Sequence, residues 1–319
     1  MDSALTAQAP RGSGKLRLFL ALSRTPHGLL DMATPVLAAL LWLGRIPSAE
    51  VVILGCLAAF GGYTAVYALN DIVDHKVDRE KLLASPPDKS QAYLDAAFVR
   101  HPIAQGLLPL REAVLWAAGW GLVALVCAAA LNPVSAYILL LGCLLEVTYC
   151  KLLTVTSLRA LISGVVKTLG GMAAVYAVDP APSGWFVAGL FAWIFLWEIG
   201  GQNIPADWYD VGEDTCYEAR TIPLCYGPRT ASRVAAGSIA AALALSALVL
   251  ALAPGGLSAP FLLTALALGA CLTLLPVLRL MRDPFDAADK ASRLFNLSSY
   301  YPAATLAVLL AQMVVSGLR

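Results

Sequence analysis

The chain has 319 residues, 59% of them hydrophobic and 13% charged, with a formal net charge of +1. An ordinary soluble domain carries about a quarter of its residues as charges, so this composition excludes one. It also offers no basic surplus for a nucleic-acid partner. Residues 1–26 are polar and basic and read as a cytoplasmic N-terminal segment with no removable signal peptide. Residues 27–319 read as one membrane domain. A helix needs about 20 mainly apolar residues to cross a bilayer, and nine stretches qualify: 27–46, 50–70, 112–131, 134–153, 158–178, 183–203, 232–253, 260–280 and 298–317. Turn signals such as Asn132-Pro133, the run Asp179-Pro180 to Gly184, and Pro254-Gly255-Gly256 keep most connections short. The expected fold is an all-α integral membrane protein with nine transmembrane helices. The seven cysteines form no C-x-x-C pair and read as small packing residues rather than a disulfide or zinc framework.

Charge placement gives an independent test of that layout. With nine spans, 19 of the 22 basic residues, including Arg11, Lys15, Arg17, Arg24, Lys89 and Arg293, sort to the N-terminal side of the membrane. Arg45 and Arg319 fall on the other side and Lys167 lies within a span. The positive-inside rule makes the basic side, with the N-terminus, cytoplasmic.

On that side, after the second and sixth spans, the same acidic signature occurs twice. Asp71, Asp74 and Asp78 follow Asn70, and Asp207, Asp210 and Asp214 repeat the D-x-x-D-x-x-x-D spacing. Intervals of three and four residues put three carboxylates on one helix face. Six such groups at a membrane surface repel one another unless divalent cations sit among them. Oxygen-rich sites suit Mg²⁺, which completes its shell with water and substrate phosphate; Mn²⁺ is the alternative. The repeat, four spans apart, suggests two related four-helix halves plus a ninth helix.

Over nearly its whole length the chain resembles the UbiA superfamily of intramembrane prenyltransferases. Both family motifs are complete, and Arg220-Thr221-Ile222-Pro223 follows the second as it does in relatives. The resemblance implies nine helices around a central lipid-accessible cavity, in a bacterial or archaeal-type cell membrane. It also implies Mg²⁺-dependent transfer of a prenyl group from an isoprenoid diphosphate to an acceptor, often an aromatic quinone precursor or another lipid-soluble molecule. Asp71, Asp74, Asp207 and Asp210 are then the catalytic carboxylates, and all six aspartates the metal ligands. Lys76, Arg79, Arg100, Lys151 and Arg220 are candidates for diphosphate contact, read equally well as positive-inside anchors; Lys81 and Lys89 are weaker ones. Asn70 belongs to the first motif, Tyr149 to a stretch similar to one after the fourth span in relatives, and Asn203 shares the Asp207 face four residues earlier. Where relatives carry an arginine in R-P-[LI]-x-x-G, this chain has His101, with Arg100 just before it.

Lys167, Glu146 and Glu198 lie inside spans, where a charge at the bilayer centre costs about 2.5–3.5 kcal/mol. They read either as structural pairs, with Lys167 matched to Glu198 or Glu146, or as a polar acceptor pocket. Nine residues separate Glu198 from Asp207, which in an ideal helix directs them to opposite faces unless Pro205 turns the helix. Two rival functions stay open. One is a terpene cyclase on the same scaffold, which would act on the prenyl diphosphate alone. The other is a divalent-cation transporter, whose sites would be expected near the midplane at broken helices.

Overall fold

In the computed structural model, residues 14–84, 99–285 and 287–317 are described. The expectations placed on Arg11, Lys89 and Arg319 lie outside them. Among the described residues the chain is helical without strands, and nine helices are long and apolar enough to cross a membrane. They are Thr25–Leu43, Ala49–Leu83, Leu110–Leu131, Pro133–Lys151, Arg159–Val178, Gly184–Tyr209, Ile222–Leu252, Ala259–Arg282 and Ala288–Val315. The number and order of spans match the sequence reading. Their ends differ where polar turns continue a helix beyond its apolar run. The second span extends to Leu83, so the first acidic motif lies on its final turns, as its helical spacing implies. The seventh begins at Ile222 and kinks at Gly227, whose φ of 75° precedes Pro228.

Short connections follow from side-chain caps. Asn132 accepts from the Val134 N–H and donates to the Tyr176 carbonyl, so one residue both starts the fourth span and ties it to the fifth. Outward faces expose Leu122, Leu144, Leu263 and Val314, as expected of a lipid-facing surface. The interior is built around the sixth span, whose Phe186, Leu190, Trp193 and Trp197 pack with Leu37 and Leu41 of the first, Val249 and Leu250 of the seventh and Tyr301 of the ninth. Lipid tails are as apolar as leucine, so close packing and interhelical hydrogen bonds hold these helices together. Trp197 Nε1 donates to Ser298 Oγ at 2.9 Å in this core.

One irregularity positions the site. Residues Ile199–Asn203 form a π-helical turn inside the sixth span, ahead of Pro205. A π turn holds one extra residue, so the nine steps from Glu198 to Asp207 act as eight. At about 100° per residue, the angle between the two side chains falls from about 180° to about 80°. Glu198 and Asp207 accordingly line one cavity, which corrects the opposite-face expectation. Glycines make the turn fit: a Cβ on Gly201 would lie 2.2 Å from Ser298 Oγ, and one on Gly200 2.6 Å from the Ala235 carbonyl.

Candidate functional site

All six motif aspartates line a single cavity of about 960 Å³ that extends from them between the helices, past Val66, Leu139 and Ala173, to Ile46 and Val178. The first triplet lies on one continuous helix, Ala49–Ala84. The second does not. Its helix breaks at Asp210, between Ile204–Tyr209 and Val211–Cys216, so the expectation of three carboxylates on one helix face holds only for the first motif. The break still leaves Asp214 N bonded to the Asp210 carbonyl at 2.8 Å, which keeps the triplet together.

Four cationic side chains thread this cluster. His101 Nδ1 sits 2.7 Å from Asp71 Oδ1 and 2.9 Å from Asp78 Oδ2. Arg100 donates to Asp210 and to Glu213, both at 3.1 Å. Lys81 Nζ meets Asp214 Oδ1 at 2.5 Å. Arg159 donates to Asp207 at 2.8 Å and lies over the Tyr149 ring at 4.4 Å. Burial opposes the His101 imidazolium, but Asp78 and Asp71 outweigh it and push its pKa up to about 9, so it is charged at neutral pH. Burial raises the Asp214 and Glu213 carboxyls, against the pull of Lys81 and Arg100 respectively.

His101 and Arg24 both adopt left-handed backbone conformations, with φ of 50° and 42°. Such strain in a non-glycine residue gathers at functional sites. Arg24 Nη2 donates to Asn70 Oδ1 at 3.4 Å, and Asn70 donates to Glu146 at 2.7 Å. Asn203 donates to Tyr149 Oη at 3.2 Å. The buried atoms Asp71 Oδ2, Asp207 Oδ2 and Asn203 Oδ1 have no hydrogen bond among the described residues. Bare carboxylate and amide oxygens on a cavity wall are the donor set that a hard divalent cation takes. Asp71, Asp78 and His101 are also close enough to share an ion; the imidazole is a counter-ion while protonated and a ligand once neutral.

Of the remaining sequence candidates, Asn70, Arg100, Tyr149 and Asn203 line the cavity. Lys76, Arg79, Lys151 and Arg220 do not: their side chains are exposed outside it, as anchors in a basic rim would be. Lys81, ranked low, reaches the site because three residues after Asp78 is the same helix face. Arg24 carried no signal beyond its positive charge. Asp31, a lone acid in the apolar first span, was overlooked although its setting marks it. It is the main partner of Lys167, at 2.6 Å; Glu198 is 4.0 Å away, and Glu146 bonds Asn70 instead.

Comparison with known proteins adds a family. A family model described as the UbiA prenyltransferase family matches residues 32–300. Among solved structures, the apo form of a UbiA homolog from Aeropyrum pernix K1 aligns with a TM-score of 0.71 at 23% identity, covering 90% of this chain and 98% of that one. A UbiA homolog from Archaeoglobus fulgidus bound to DMAPP and Mg²⁺ aligns at 0.63 and 19% identity, covering 92% and 99%. A structure concerning digeranylgeranylglyceryl phosphate synthase in membranes aligns at 0.64 and 20% identity, covering 93% and 97%. The search of curated proteins gives no match.

Proposed function

The chain belongs to the UbiA prenyltransferase family, and from that premise we propose that it binds a prenyl diphosphate between its two acidic clusters, dependent on Mg²⁺ with Mn²⁺ as a substitute, and transfers the prenyl group to a lipid-soluble acceptor in the cavity. The enzyme is a multi-pass membrane prenyltransferase; the metal, donor, acceptor and orientation are our reading. The supporting observation is that six aspartates and the cations Lys81, Arg100, His101 and Arg159 gather at one end of a cavity whose walls are otherwise largely apolar. The relative from Archaeoglobus fulgidus solved with DMAPP and Mg²⁺ lends the same direction.

Asp71, Asp74, Asp78, Asp207, Asp210 and Asp214 would hold the metal, with Asp71 and Asp207 each offering a free oxygen. Bound Mg²⁺ supplies neutralisation of the negative charge that grows on the diphosphate as the allylic bond breaks. Arg159, Arg100 and Lys81 exchange a carboxylate for a diphosphate oxygen and hold the leaving group in place. The apolar walls exclude water from the electron-poor prenyl carbon. Because the donor is a water-soluble anion, this end of the bundle would face the cytoplasm, in agreement with the basic sorting. A transporter reading fits less well, since both clusters lie at one end and are tied down by fixed cations.

The test is lipid mass spectrometry on membranes with and without the protein, fed labelled prenyl diphosphates of several lengths. Labelled, prenylated acceptor should appear with Mg²⁺ and fall by about a hundredfold in Asp71→Asn and Asp207→Asn. Unchanged product in both variants refutes the assignment. A free labelled cyclic hydrocarbon formed without acceptor would replace transfer by cyclisation.

A further inference from the structure

A second polar layer lies deeper in the same cavity, and the diphosphate chemistry has no use for it. Asp31 of the first span, Tyr63 and Tyr67 of the second, Ser163 and Lys167 of the fifth and Glu198 of the sixth all line the cavity wall. Lys167 Nζ donates to Asp31 at 2.6 Å and to Tyr67 Oη at 3.4 Å, and lies 4.0 Å from Glu198 Oε2. Tyr67 also donates to Asp31, and Ser163 donates to Glu198 Oε1 at 3.0 Å. His27 Nε2 is 3.7 Å from Asp31 Oδ1. Counted along the helices from Asp71 to Tyr67 and from Arg159 to Lys167, the layer sits about 6 to 12 Å inward of the motif carboxylates.

Holding three charges at this depth is expensive, and apolar residues would pack the bundle at lower cost. The layer also holds two polar atoms that its own contacts do not satisfy. Glu198 Oε2 and Tyr63 Oη are buried and without a hydrogen bond among the described residues, and Glu198 is only 7% exposed. A carboxylate oxygen accepts, whereas a phenol can donate. Each can therefore pair with a ligand hydroxyl, Glu198 as acceptor and Tyr63 as donor. Lys167 is already engaged by Asp31 and Glu198, so it offers little to a further anion. Flat apolar surface is at hand: the rings of Tyr63, Tyr67, His27 and Phe295 border this layer, with His27 stacked on Phe295 at 5.2 Å and edge-on to Tyr67 at 5.9 Å.

We propose that this layer is the acceptor's docking site and that it selects a neutral hydroxylated aromatic over an aromatic carboxylate. The ligand hydroxyl donates to Glu198 Oε2 and accepts from Tyr63 Oη, while Lys167 and Asp31 hold Glu198 and Tyr67 in register. This rests on the prenyl-transfer reading, and a cyclase would have no need of it.

The probe is 1-naphthol, whose own fluorescence reports binding to the full-length protein in detergent with Mg²⁺ and the unreactive donor analogue geranyl S-thiolodiphosphate. Binding of the analogue is measured separately by calorimetry. Naphthol should bind saturably, and Glu198→Leu and Tyr63→Phe should each weaken it about tenfold, the cost of one buried hydrogen bond. 1-Naphthoate should bind the unaltered protein about tenfold more weakly than naphthol, and the analogue's affinity should stay within about twofold in both variants. Tyr63→Phe removes only a hydroxyl that has no hydrogen bond among the described residues, so it serves even where Glu198→Leu fails to fold. Naphthol binding that is absent, that neither variant weakens, or that naphthoate equals, overturns the proposal. Failure of the unaltered protein to bind the donor analogue sinks instead the transfer reading, and this inference with it.

Discussion

Replacing Lys167 with methionine keeps the length and packing of the side chain and removes the ammonium that Asp31 and Glu198 share. Asp31 is 3% exposed and Lys167 11%, so the variant leaves a buried carboxylate without its main cation. Breaking a buried pair in this way costs about 3–5 kcal/mol. The cavity wall admits some water to the lysine, which favours the low end. At about 2–4 °C per kcal/mol for a chain approaching this size, a 3 kcal/mol loss lowers the melting temperature by about 6–12 °C. The assay is tryptophan fluorescence during heating of the protein in detergent; Trp197, with Lys167 Nζ 5.8 Å from its ring, is a local reporter. Adding Asp31→Asn removes the orphaned charge and should return at least half of the loss. Adding Glu198→Gln should return less, because its oxygen is 4.0 Å from the ammonium whereas that of Asp31 is 2.6 Å away. A Lys167→Met variant that melts within about a degree of the parent refutes the reasoning. A larger rescue by Glu198→Gln than by Asp31→Asn would refute the choice of partner.

Arg159→Met should lower kcat/KM by about a hundredfold, since it strips Asp207 of its counter-ion and the diphosphate of a donor. Lys76→Ala and Arg220→Ala, whose side chains lie outside the cavity, should stay within about twofold; equal losses in all three would show that basic charge alone matters. Gly201→Val forces a side chain onto Ser298, 2.2 Å from the position of its Cβ, and should cost about 1–3 kcal/mol of stability. It should also impair turnover by disturbing the π turn that aims Asp207, and normal values of both would contradict that role. Reporter fusions at Arg319 and within residues 80–99 should report opposite sides of the membrane, and the same side for both would defeat the orientation.

The sequence made the spans and both acidic motifs legible because each depends on a local pattern: a run of about 20 apolar residues, or carboxylates repeated at helical spacing. The long-range pairs were not legible. His101 bridges Asp71 and Asp78 from a loop, in a left-handed conformation with no local signature. Lys167 was expected to pair with Glu198 or Glu146, but its main partner is Asp31 of the first span, which spacing along the chain does not bring near it. The relation of Glu198 to Asp207 failed for a different reason: a uniform 3.6-residue period cannot anticipate a π turn. Gly200-Gly201 and Pro205, where the sixth span packs tightly on the seventh and the ninth, were the available hint.

The pairing pattern bears on why this site needs metal. Lys81 and Arg100, from the helix and loop around the first motif, neutralise Asp214 and Asp210 of the second, while Arg159 holds Asp207. Lys81 and Arg100 thus tie the two halves together, yet with Glu213 included the carboxylates still outnumber the cations. A diphosphate approaching this cluster alone meets net negative charge in a partly desolvated cavity, where repulsion is screened far less than in water. On the proposed reading the aspartates would hold divalent cations that neutralise this charge, and Lys81, Arg100 and Arg159 would then turn from carboxylate to phosphate oxygens. The metal requirement should accordingly appear in binding and not only in turnover. Calorimetry with geranyl S-thiolodiphosphate should show no measurable affinity after chelation, full affinity on return of Mg²⁺, and measurable affinity even after chelation when Asp210→Asn and Asp214→Asn lower the negative charge. Tight metal-free binding to the unaltered protein would show that the four cations suffice, and that the carboxylates serve some other end.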